Sequence, residues 1–381
     1  MVDHSPAAAL GQAPACGTVD SSFSLAQEAP VETHVHSEIA DGLGLITLNR
    51  PAKINALTPG MVEAIGQTLR AWRYAAEVNA VVLRGEGERG FCAGGDLAGF
   101  HEALVDGRED AFLDVLATEF ELAAEIGSYP KPIVSIMRGL TLGAGLGLAG
   151  QASVRIVTPD SRLGMPEARI GYVPDVGGSL LLGRAPGRVA EHLAATGDTV
   201  GAGDAVEFGL ADFCMAPDAE AEVLATLADL AQLGAGEIGV GLEVLHGVQA
   251  PATTRPLSGS RAWIDHCYAA PELADILSEL GDSAWPAAQA ARERILANSP
   301  LAAATAIELV RAARDEDELR GALEREHRAA AFMMENPDLA EGIRARIIDK
   351  DDAPAWNPAT AEEVDTEAIL TALDPEEDEG W

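Results

Sequence analysis

Between Leu43 and Thr158, short apolar runs alternate with stretches of helical spacing, and this alternation most limits the folds open to the chain. Leu43–Asn49, Ala80–Leu83, Ile133–Met137 and Ser153–Thr158 read as strands. Between the first two, Met61, Ile65, Leu69 and Trp72 recur on one helical face, behind a Thr58-Pro59 pair suited to an N-cap and first turn. Glu109–Ile126 reads as a helix closed by Gly127 and the Pro130-Lys131-Pro132 break, and Gly143–Gly150 opens another. Such a pattern predicts an α/β domain whose loops, glycine-rich over Gly85–Gly95, sit at strand ends. Ala219–Leu233 is amphipathic, with Val223, Leu227 and Leu230 on one face. From about Pro271 the pattern becomes wholly helical, through Leu301–Arg314 and Glu316–Glu335. The expected organisation is a disordered extension over 1–33, an α/β core over 34–250, a helical region over 251–358 and an acidic tail over 359–381.

Charge and composition exclude several functions. The 26 basic and 61 acidic residues give a formal net charge of −35, which opposes binding to a nucleic-acid phosphate backbone. Residues 359–381 hold nine carboxylates and no basic group, and read as solvated. Aromatics at 4% fit neither base stacking nor an aromatic-belted barrel, and no apolar run reaches membrane-spanning length. Cys16, Cys92, Cys214 and Cys267 are too scattered for a disulfide framework or zinc site. His34 and His36 have HxH spacing, read here as a solvated strand edge rather than a metal site. Residues 1–33 lack Lys and Arg, unlike a signal peptide or an organellar presequence. Together these features predict a cytoplasmic protein with no metal and no membrane partner.

Four stretches are candidates for chemistry. Gly145-Leu146-Gly147-Leu148-Ala149-Gly150 spells GxGxxG, but sits mid-chain after two earlier strands that a dinucleotide fold leaves unexplained. Gly90–Asp96 and Gly139–Gly145 are small-residue turns leading into helices, where backbone amides can point outward without a partner. Two such amides converging on one oxygen would form an oxyanion hole; tight turns alone are the simpler reading of the glycines. Met165–Gly178 adds Glu167 and Asp175 around a Gly- and Pro-rich turn. These carboxylates either share a pocket for acid–base or nucleophilic work, or act as a helix N-terminal acid and a turn residue.

Arg50-Pro51 with Asn55-Ala56-Leu57, then Phe91–Asp96, Gly139–Gly147 and Met165–Gly178, occur in an order that resembles the crotonase (enoyl-CoA hydratase/isomerase) superfamily. The resemblance runs from about Ile39 to Pro358. Ile264–Cys267, Glu341–Arg344 and Ile348–Asp351 are similar to its 3-hydroxyisobutyryl-CoA hydrolase branch. The resemblance implies a spiral of ββα units with a helical C-terminal region that covers the site or supports a homo-oligomer. It implies an acyl-CoA substrate and no separate cofactor. The Gly95 and Ala144 amides would form the oxyanion hole, with Glu167 and Asp175 catalytic. Glu119, Lys53, Ala56, Cys92, Gly94 and Asp96 would contact substrate, and Lys53, Arg50 and Arg89 are candidates for the CoA phosphates. Related hydratases use two glutamates, whereas this chain has Gly147 at the first position and Glu167 at the second. The branch therefore implies thioester hydrolysis, as in valine catabolism. The alternatives are an enoyl-CoA hydratase or isomerase on the same fold, and a non-catalytic CoA-binding protein.

Overall fold

The computed structural model describes residues 34–106, 109–233, 254–314 and 318–374. Ten strands are present among them: β1 Val35–Ala40, β2 Leu43–Leu48, β3 Ala80–Gly85, β4 Gly90–Cys92, β5 Ile133–Met137, β6 Leu140–Leu142, β7 Val154–Val157, β8 Arg162–Gly164, β9 Val200–Gly201 and β10 Phe213–Cys214. They form a six-stranded sheet in the order β1-β2-β3-β5-β7-β10 and a four-stranded sheet in the order β4-β6-β8-β9. In the larger sheet only β1 runs antiparallel to its neighbour. Long strands β3, β5 and β7 are each followed by a short strand in the second sheet, β4, β6 and β8. This is the expected α/β crotonase-like arrangement of ββα turns, with helices at its C-terminal end.

The four strands predicted from apolar runs are buried on both faces because helices cover both. Ile46, Leu48, Val81, Leu83, Ile133 and Met137 pack with Met61, Ile65, Leu69 and Trp72 of the helix Pro59–Trp72. The alternate residues Leu43, Leu45, Ala80, Val82, Val134 and Ile136 pack with Val223, Leu227 and Ala231 of the helix Glu220–Leu233. Two-sided burial turns strands into continuous apolar runs, which is why they are legible. Thr58 caps its helix as expected, accepting from the Met61 N–H at 3.3 Å. The short strands β4 and β6 lie within stretches that read as a loop and a turn, and β8 in a stretch with no strand pattern. Three residues are too few for a period-two pattern to declare itself.

Residues 1–33, the expected boundary between 250 and 251, and residues 375–381 lie outside the described residues. The described residues form one unit by contact. The helix Pro300–Ala313 lies against Val189–Thr196 and Gly178–Gly183, which ties the helical region to the α/β core. The reading of 359–381 as a solvated tail needs correction over its first part. Thr366–Leu373 is a helix capped by Asp365, with Ile369 and Leu373 buried at i and i+4. Two apolar residues on one face outweigh the surrounding charge count.

The helix Asp338–Ile343 docks on the turn Glu167–Ile170 through two glycines. A Cβ on Gly342 would overlap the Ile170 carbonyl, and one on Gly171 the Asp338 backbone. The Asp338 carboxylate, fully buried, accepts from Ser299 Oγ at 2.6 Å and from the Asn357 N–H at 2.8 Å. We expect Gly342→Ala to destabilise the protein by about 1–3 kcal/mol through overpacking at this contact, read as a lower urea midpoint.

Candidate active site

Asn55 builds one wall of the site from the inside. Its buried side chain receives the Arg50 N–H and reaches the carbonyls of Glu86, Gly90 and Phe91 at 3.0–3.2 Å. Leu57 then bridges Gly95 in parallel fashion, donating to Gly94 O at 2.8 Å and accepting from the Asp96 N–H at 2.9 Å. In an extended chain successive amides point to opposite sides, so the Gly95 N–H faces away from Leu57. Ala144 is the first residue of the helix Ala144–Gly150, where an N–H has no intrahelical acceptor. The two loops touch: a Cβ on Gly94, at φ +96°, would lie 3.2 Å from Leu142 O and 3.8 Å from Ala144 N.

Both loops line a cavity of about 340 Å³ that also takes in Glu119, Glu167, Tyr172 and Asp175. Glu167 opens the 3-10 turn Glu167–Ile170. Its Oε1 lies so near Gly143 (φ +52°) that a Cβ there would come within 2.6 Å, and its buried Oε2 has no hydrogen-bond partner among the described residues. Burial, with a smaller contribution from Glu326, pushes the Glu167 carboxyl up to about 8. Burial also takes Glu119, on the helix Glu109–Gly127, up to about 7. Asp175 is raised well above the usual range by burial and then by the charges of Glu167, Glu119 and Glu326. Three carboxyls with raised pKa in one cleft are a site able to carry or exchange protons near neutral pH.

Five residues expected at the site do line the cavity with Glu119: Gly94, Gly95, Ala144, Glu167 and Asp175. Four others do not. Cys92 is buried behind the loop with its thiol 3.2 Å from Asn55 O, and burial pushes it up to about 12. Asp96 pairs with Arg50 at 2.7 Å, and the Ala56 carbonyl accepts from the same guanidinium at 3.2 Å. Lys53 is exposed on the turn Pro51–Lys53, beside which Arg89 donates to the Pro51 and Ala52 carbonyls. These basic groups gather outside the cavity rather than in it.

The resemblance implied a C-terminal region that covers the site; the residues that form this wall, Leu339, Ile343, Arg346 and Ile347, were not among the expected site residues. Sequence reasoning also missed Glu326, fully buried on the helix Leu319–Met334. A signal for Glu326 was present: it falls on the stripe Ala322, Leu323, Ala329, Ala330 and Met333, where an unpaired acid is out of place. Among the described residues no group of three or more His, Cys, Asp or Glu side chains is placed to hold a metal ion. No described helix is long and apolar enough to cross a membrane.

Comparison with known proteins accords with this geometry. The chain is 37% identical to a carnitinyl-CoA dehydratase from Mycobacterium thermoresistibile, covering 90% of this chain and 97% of that one with a TM-score of 0.82. An enoyl-CoA hydratase from Rhodobacter sphaeroides 2.4.1 matches at 37% identity over the same shares, with a TM-score of 0.81. The mitochondrial 3-hydroxyisobutyryl-CoA hydrolase of Gallus gallus is 31% identical over 88% of this chain and 87% of its own length. That name, with its mitochondrial location, is shared by other vertebrate relatives and overturns the expectation of a cytoplasmic protein, which rested only on missing basic residues and scattered cysteines. A family model described as Enoyl-CoA hydratase/isomerase matches residues 43–373. With its ββα spiral, its paired glycine loops and a match across most of its length, the chain belongs to the enoyl-CoA hydratase/isomerase family.

Proposed function

We propose that this protein is an acyl-CoA thioester hydrolase acting on a short 3-hydroxyacyl-CoA, with 3-hydroxyisobutyryl-CoA the first substrate to try. One observation carries the choice of hydrolysis. A Cβ on Gly147 would lie 2.7 Å from Val176 O and 2.8 Å from Val176 Cβ, so no second glutamate fits there. The second acid of the cavity comes instead from Asp175, next to Val176.

In this reading the thioester oxygen sits between the Gly95 and Ala144 amides, which stabilise the tetrahedral oxyanion. Losing one such donor typically costs roughly 2.7–4 kcal/mol of transition-state stabilisation. Ionised Glu167 either attacks the carbonyl carbon, forming an acyl anhydride that water then cleaves, or takes a proton from the attacking water. In both routes the C–S bond breaks and CoA leaves as a thiolate. Asp175 holds the substrate hydroxyl or the water, and Glu119 bounds the acyl group. Arg50, Lys53 and Arg89 meet the CoA phosphates outside the cavity, with Lys53, Ala56 and the Gly94–Asp96 segment along the path of the CoA chain.

The second reading is hydration or dehydration of an enoyl-CoA. The family description and the names of the two 37% identical structures favour it over hydrolysis. Release of free thiol from 3-hydroxyisobutyryl-CoA, followed with a thiol-reactive dye beside the enoyl absorbance of crotonyl-CoA, separates the two. We expect thiol release, reduced roughly 10³-fold or more in Glu167→Gln. Loss of enoyl absorbance without thiol release would select the second reading. Because Glu167 must ionise, kcat/KM should rise with pH until about 8.

The same residue links activity to stability. Its folded-state pKa, about 8, is raised above the ordinary 4.5, so the fold favours the protonated form. Its contribution is fully present below about pH 4.5 and is lost as pH rises through about 8. Glu167→Gln should therefore melt close to the parent protein at pH 5 and at least about 2 °C higher at pH 9, measured by calorimetry.

A further inference from the structure

Asp175 sits on a turn that the backbone does not favour by itself. Val176 follows it at φ +54° and Gly177 at φ +78°, two successive left-handed residues, the first of them β-branched. Such a conformation persists only where the surroundings over-determine it. The Gly178 N–H closes the turn onto Asp175 O at 2.7 Å, and Gln151 Nε2 reaches Gly177 O at 3.4 Å. The strongest hold comes from far along the chain. Glu326 Oε2 accepts from the Gly177 N–H at 2.7 Å, while Oε1 accepts from the Ser179 N–H at 2.9 Å and from Ser179 Oγ at 2.5 Å. Both oxygens of a fully buried carboxylate are thus spent on Gly177, within the Asp175 turn, and Ser179, just past it.

From this geometry we infer that Glu326, supplied by the helical region, is a positioning residue that locks the strained Asp175 turn and sets the electrostatic environment of Glu167. The inference rests on Glu167 and Asp175 being the working acids. It adds a residue from outside the glycine loops and the Met165–Gly178 stretch. A charge is better suited here than an amide. Glutamine has one acceptor oxygen for three donors, and its N–H₂ would oppose one of the backbone N–H groups. Burial pushes Glu326 itself up to about 7, so above that pH its charge also acts at a distance and raises Glu167 and Asp175. The other groups facing this region are Glu119 from the helix Glu109–Gly127, Tyr172 beside Asp175, and Arg325 on Glu326's own helix.

The test uses the full chain and whichever of 3-hydroxyisobutyryl-CoA and crotonyl-CoA the parent protein turns over. For Glu326→Gln we expect kcat to fall about 10- to 100-fold with KM changed less than about threefold, as for misplacement of a working group. The acid limb of kcat/KM should move to lower pH, because the Glu326 charge that raises Glu167 is gone; a purely structural role leaves that limb in place. Glu326→Asp keeps the charge and should restore the limb, with partial recovery of kcat. Should Glu326→Gln fail to fold, Ser179→Ala removes one bond only, and we expect a several-fold loss of kcat with unchanged KM. Parental kcat and pH profile in folded Glu326→Gln, or in Ser179→Ala where that variant alone is soluble, would overturn the inference. If the parent protein turns over neither thioester, the proposed hydrolase activity falls separately. Glu326 is then judged by the ¹³C-carboxyl titration of Glu167, assigned by its loss in Glu167→Gln. A midpoint that moves down in Glu326→Gln supports the inference, and an unmoved one overturns it.

Discussion

The cavity exists because two main-chain segments approach with no side chain between them. Gly90 lies on the backbone of Leu140, where any Cβ would overlap the Leu140 carbonyl, and Gly139 (φ +55°) lies as closely on Arg89. Past the other end of the same strand pair, a Cβ at Gly145 would meet Cys92 Cβ at 2.6 Å. This contact draws β4 and β6 together and brings the ends of both loops to one side of the small sheet. The Gly95 amide, the start of the helix Ala144–Gly150 and the Glu167 carboxylate against Gly143 all follow from it. Side chains at these glycines would separate the loops before any question of chemistry arose.

Once the loops have met, the acids are held at a cost to the fold. Buried carboxyls are tolerated when their oxygens are hydrogen-bonded or when they take up a proton. Glu326 takes mainly the first course: three donors on its two oxygens hold it down, although burial still pushes it up to about 7. Glu167 takes the second, with one oxygen left without a partner and its pKa raised. The difference separates a group that fixes geometry from one kept available for substrate. The C-terminal helices close the arrangement: Asp338–Ile343 docks on the turn that carries Glu167, and Leu319–Met334 supplies Glu326.

Much of this was legible beforehand, and the exceptions have physical causes. The long strands were visible because two-sided burial demands unbroken apolar runs, and the Thr58-Pro59 helix start because capping is local chemistry. β4, β6 and β8 were hidden because each is three residues long and held by its neighbours. Cys92 looked like a site residue from its place in Phe91–Asp96, yet the chain direction at that point turns its thiol into the core. The apolar pair Ile369 and Leu373 was masked by the acids around it, so the helix Thr366–Leu373 was read as tail.

By itself the sequence determined the alternation of strands and helices, the two glycine turns and the positions of Glu167 and Asp175, since each depends on residues within a few places of one another. Only the tertiary structure decided which acids share a cavity, that Gly147 leaves no space for another, and that Glu326 reaches the Asp175 turn across about 150 residues of sequence. Burial, which sets the pKa of each carboxyl and the cost of leaving it unpaired, is a property of everything packed around a residue. It belongs to no local stretch of chain.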